Sequence, residues 1–102
     1  MSASRRKRDG IHSRALMLDA GLLIAMYKGF DRVSRKDVAH VVGLSESLLS
    51  QFWTAEAFHA ALMERAIEER NLRVILQGIA VEHPTALAAP EELRRAALDA
   101  AL

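Results

Sequence analysis

Cysteine is absent from this 102-residue sequence, which excludes a disulfide framework and any metal held by thiolates. No apolar run approaches the length that spans a bilayer, and the basic start is not followed by the apolar core of a secretory signal. The five glycines are never grouped into a phosphate-cradling loop. Strict alternation of apolar and polar residues, the mark of a half-buried strand, does not persist beyond a few positions, and no internal repeat is visible. These absences leave one small all-α domain, expected inside the cell.

The four histidines, at positions 12, 40, 59 and 83, include no pair at the short helical spacing of a zinc site. Ser45, Ser47 and Ser50 lack the strand-turn-helix setting of a nucleophile. No catalytic residue, metal or cofactor is therefore expected, and the chain does not read as an enzyme.

What is present is an uneven charge distribution. The net charge is only +1. Through Lys36, however, nine basic residues face three acidic ones, a net of +6, and the following 66 residues carry five basic against ten acidic, a net of −5. Such a chain can present its basic end to phosphate while its acidic part faces away.

Apolar residues recur at helical spacing along the chain, which reads as a series of helices. Residues 1–11 read as a disordered basic arm. A long helix is expected from His12 or Ser13 to Lys28, with Ala15, Leu16, Leu18, Ala20, Leu22, Leu23, Ala25, Met26 and Tyr27 forming a wide buried face, and Gly29 ending it. Phe30 and Val33 should seal the turn that follows.

The stretch 33–58, VSRKDVAHVVGLSESLLSQFWTAEAF, then reads as two short helices joined at a glycine. Ser34 can cap the first, Val38, Ala39, Val41 and Val42 supply its apolar stripe, and Gly43 can take the positive φ of the turn. Leu44 is expected to plug the gap, Ser45 to cap the second helix, and Leu48, Leu49 and Phe52 to face the core. The second helix then keeps Glu46, Ser47, Ser50 and Gln51 on its outer face. Small hydroxyls permit close approach to a groove, and the Gln51 amide can pair with adenine. This is the pattern of a helix-turn-helix reading duplex DNA.

Thr54 and Glu56 mark another helix start, running to about Glu69. Asn71 can cap or bend the chain before the apolar stretch 72–80, and Pro84 is expected to stop that helix. One helical turn can form near residues 85–89, and Pro90 with Glu91 and Glu92 opens a last helix. The apolar residues of the second half either close the core or pair with a second copy. Leu72, Ile75, Leu76, Ile79, Leu93 and Leu98 are the candidates for a dimer interface.

The order of a long helix, Gly29 and Phe30, the Ser34 to Ala39 run, Gly43-Leu44-Ser45, and Phe52-Trp53 before Thr54 to Phe58 resembles the DNA-binding head of TetR family repressors. The resemblance covers about residues 13–62. It implies a three-helix head at 12–53 whose third helix enters the major groove, and a homodimeric repressor of a nearby promoter binding an inverted-repeat operator. Residues 54–102 would then form a support and dimerisation region of two or three further helices. By that likeness Ser34 and Arg35, with Lys36 beside them, touch phosphate. Ser45, Glu46, Ser47, Ser50 and Gln51 face bases or phosphates, and Thr54 lies beside the backbone. From the charge distribution, Arg5, Arg6, Lys7 and Arg8 either reach DNA from the arm or form a solvated tail.

The sequence departs from the family where Ser50 replaces a usual tyrosine and Ala55 a usual phosphate-binding lysine, and the loop after Trp53 is one residue shorter. About 40 residues follow Leu62, against the large ligand-binding domain usual in the family. The expectation is a minimal repressor with no small-molecule inducer and no membrane association. It would reside in a bacterial cytoplasm, held to the nucleoid through DNA. The alternative function is a helical interaction or adaptor protein whose apolar tail binds another protein.

Overall fold

The computed structural model describes the backbone of residues 3–101 and the side chains of residues 13–101. It is all-α, with no strand among the described residues. The elements are α1 (Ala3–Lys28), a single 3₁₀ turn (Phe30–Arg32), α2 (Arg35–Val42), α3 (Glu46–Phe52), α4 (Ala55–Glu68), α5 (Leu72–Ala80), α6 (Pro84–Leu87) and α7 (Glu91–Ala100). None of these helices is long and apolar enough to cross a membrane.

Most helix starts are fixed by the side chain just ahead of them. Ser34, Ser45, Thr54 and Asn71 each accept a hydrogen bond from a backbone amide in the first turn of α2, α3, α4 and α5. Gly43 closes α2 in the left-handed conformation, with φ 72°, which a Cβ would oppose.

Two boundaries differ from the sequence reading. The helix expected from His12 or Ser13 already runs from Ala3, so residues 3–11 of the segment read as a disordered arm have helical backbone. Its Arg and Lys residues are good helix formers, and the single Gly10 costs only about 1 kcal/mol against alanine. Pro84 does not stop α5, which ends at Ala80. Instead Glu82 turns the chain at φ 56°, and Pro84 opens α6, where the missing proline amide costs nothing.

One apolar core runs through the chain. It joins Met17, Ala20, Leu22 and Ala25 of α1 to Phe30, Val33, Val38, Leu49, Phe58, Leu62, Met63, Val74, Ile75 and Ala97. Gly78 lets α5 close on α4 and α6, for a Cβ at that position would crowd the Met63 side chain and lie 2.8 Å from Ala86 Cβ.

Burial corrects several expectations. Leu16, Leu23, Met26 and Tyr27 are exposed rather than part of α1's buried face, with Tyr27 at 92% exposure. Their apolar arc is wider than the side of α1 that its neighbours cover. Val41 and Leu44 are also exposed, so Leu44 does not plug the gap between α2 and α3. In the tail, Ile75 and Leu93 are buried within the single chain and are core, not interface. They are covered because α5 and α7 pack on each other. Leu72, Leu76 and Ile79 are half-buried against the core, and Leu98 is exposed.

Phe30 holds the place where the 3₁₀ turn meets α4, α5 and the start of α6. Its ring meets those of His59 and His83 edge-on, at centroid distances of 5.6 and 5.2 Å, and its amide donates to Gln77 Oε1 at 2.9 Å. Burial, and then the neighbouring His59, hold the His83 imidazole below its ordinary pKa, against a smaller upward pull from Glu56. The unfolded chain therefore binds the His83 proton more readily than the folded one, and stability falls as pH drops through the ordinary histidine range near 6.5. His83→Asn should retain the cap at the start of α6 and make the urea midpoint less sensitive to pH between neutrality and pH ~5. An unaltered pH profile in that variant would show that His83 does not carry this effect.

Candidate nucleic-acid interface

The start of α2 is a reciprocal cap. Ser34 Oγ accepts from the Asp37 amide at 3.0 Å, and Asp37 Oδ2 accepts from the Ser34 amide at 3.1 Å. Lys28 Nζ donates to the same carboxylate at 2.7 Å, tying the end of α1 to the start of α2. The Lys28 contact first, and then the Ser34 amide, hold the Asp37 carboxyl below its ordinary pKa. Lys28 and the Ser34 hydroxyl are thus engaged within the protein.

Arg35 is turned inward. Its Nη1 donates to the Trp53 carbonyl at 3.0 Å and to Ser50 Oγ at 3.3 Å, so it clamps the start of α2 to the end of α3. A guanidinium bond to a helix-end carbonyl is charge-assisted and favoured by the helix dipole. Arg35 thereby sets the orientation of α3, a role that the sequence reading, which placed it on phosphate, did not assign.

On α3, Leu49 is buried, while Leu48 and Phe52 are half-buried. Glu46, Ser47, Ser50 and Gln51 are exposed together, as their helical spacing predicts. Ser45 Oγ accepts from the Leu48 amide at 3.2 Å and lies 3.2 Å from Ser47 Oγ. Ser50 Oγ donates to the Glu46 carbonyl at 3.1 Å. Gln51 is the longest uncharged polar side chain on this face. Trp53 packs beneath α4, its ring 5.6 Å from Phe58, and Thr54 Oγ1 accepts from the Ala57 amide at 3.1 Å.

Beside α3, a concavity of about 240 Å³ is lined by Arg32, Ser34, Arg35 and Lys36 around the start of α2, by Glu46 of α3 and by Ala55 of α4. Three helix N-termini and three basic side chains thus border one shallow surface, an arrangement that favours an anion. Asp31 and Glu46 also line it and oppose that preference. The structure therefore gathers Ser34, Arg35, Lys36 and Glu46 around one surface and sets Ser47, Ser50 and Gln51 on the exposed face of α3. The side chains of Arg5, Arg6, Lys7 and Arg8 lie outside the described residues.

Two residues were missed as site candidates. Arg32 lines the basic concavity, and its place two positions before the Ser34 cap was the available signal. Arg14 lies over the Phe52 ring at 4.5 Å and secures α1 to the end of α3 by a cation–π contact, which only the folded chain brings together. Among the described residues, no group of three histidine, aspartate or glutamate side chains could hold a metal ion.

No family model, curated protein or solved structure matches this chain.

Proposed function

We propose that the chain is a sequence-specific repressor of transcription that binds an inverted-repeat operator in duplex DNA as a homodimer. The observation that carries this reading is the exposed polar face of α3, with Gln51 on it, set beside the basic concavity at the start of α2. A helix held this way can enter the major groove while Lys36, Arg32 and the amides at the helix starts contact phosphate. The likeness to TetR heads supports the same assignment of α3.

A second reading, a helical adaptor protein, is favoured by the exposed apolar residues Leu16, Leu23 and Tyr27 of α1 and Leu98 of α7. In the repressor these residues are available for pairing two copies. In the adaptor they would receive a different protein.

The salt dependence of binding separates the two. A repressor should bind duplex DNA with an affinity that falls steeply as salt rises, because neutralised phosphates release their counterions. Deleting residues 1–8 should lower affinity for all sequences and flatten that slope. No salt-dependent binding to duplex DNA would rule out the repressor and leave the adaptor.

A further inference from the structure

We propose that the cleft bounded by the 3₁₀ turn, the first half of α4 and the α5–α6 junction binds a compact organic cation, a primary ammonium on an apolar body. The cleft is open to solvent and offers about 400 Å³, a volume within the range of small-molecule sites. No small-molecule inducer is expected from the sequence. The cleft arises because Phe30, His59 and His83, far apart in sequence, meet at one place.

The lining selects the charge of the occupant. Asp31 and Glu56 contribute two carboxylates, and among the described residues no lysine or arginine lines the cleft. Phe30, Val81 and Pro84 supply apolar wall. His59 Nδ1 donates to the Ala55 carbonyl at 3.0 Å, and in the neutral ring Nε2 is then an acceptor. This Nε2 is buried with no hydrogen-bond partner, an unmet demand for a donor. His83 Nδ1 accepts from the Thr85 amide at 3.2 Å, and burial disfavours its charged form, so it does not repel a cation near neutral pH. Acceptors and negative charge therefore predominate over an apolar floor. An anion would meet the two carboxylates, and a neutral hydrocarbon would leave the His59 acceptor unmet.

The inference does not depend on DNA recognition and is tested without DNA. The full chain, labelled with ¹⁵N, is titrated near neutral pH with phenethylamine and, separately, with phenylacetate, which has a similar shape and the opposite charge. Phenethylamine should give saturable shifts at the amides of His59, Ala60, Val81, His83 and Thr85. Glu56→Gln should weaken binding about tenfold. Asp31→Asn should weaken it in the same direction, and Glu64→Gln, outside the cleft, should leave it unchanged. Equal saturation by phenylacetate, shifts scattered elsewhere, no saturable shift with the amine, or undiminished affinity in Glu56→Gln would each overturn the proposal.

Discussion

Phe30→Ala is expected to remove about 3 to 5 kcal/mol of stability, the usual cost of emptying a buried aromatic site. Small domains have only about 5 to 15 kcal/mol in total, so the variant should be largely destabilised and not merely loosened. The ring is 1% exposed and is bracketed by His59 and His83, and its backbone amide is held by Gln77. The 3₁₀ turn that Phe30 opens leads directly to Val33 and the Ser34 cap, so loss of the ring should also disturb the placement of α2. Urea denaturation of the variant measures this. A loss below about 1 kcal/mol would mean that the neighbouring helices collapse into the vacancy and that Phe30 is not the anchor of the junction.

The second large effect is functional. Gln51 is exposed on α3, so Gln51→Ala should leave folding intact while weakening a selected operator by about 1 to 3 kcal/mol, the worth of a paired contact to adenine. Binding to nonspecific DNA should be nearly unchanged, because that binding rests on phosphate contacts. Equal losses on operator and nonspecific duplex would assign Gln51 to the phosphate backbone and remove it from base reading.

The local grammar of the chain was readable in advance. Ser34, Ser45, Thr54 and Asn71 cap helices because a hydroxyl or amide oxygen beside a helix start needs only its own next few residues. Gly43 marks the turn by the same locality. The outer face of α3 followed from helical spacing, since Leu49 inward implies Ser47, Ser50 and Gln51 outward.

Features that depend on distant partners were not readable. Leu16 and Leu23 are as apolar as Met17 and Leu22, and only the packing of α1 decides which of them are covered. Ile75 and Leu93 carry the signature of an interface as well as that of a core, and the packing of α7 on α5 makes them core. The likeness to TetR heads implies Arg35 as a phosphate ligand, yet the folded chain sets the Trp53 carbonyl and Ser50 hydroxyl within its reach. The meeting of His59 and His83 on Phe30 spans three separate elements, and no spacing rule announces it.

The central claim is that α3 reads base sequence from two symmetry-related copies. Selection of bound duplexes from a random pool, using the full chain at moderate salt, tests it most directly. The account predicts enrichment of an inverted repeat whose half-sites lie about one helical turn, roughly 34 to 36 Å, or a multiple of it apart. A bound pool with no sequence enrichment, or no retained DNA at all, would contradict it.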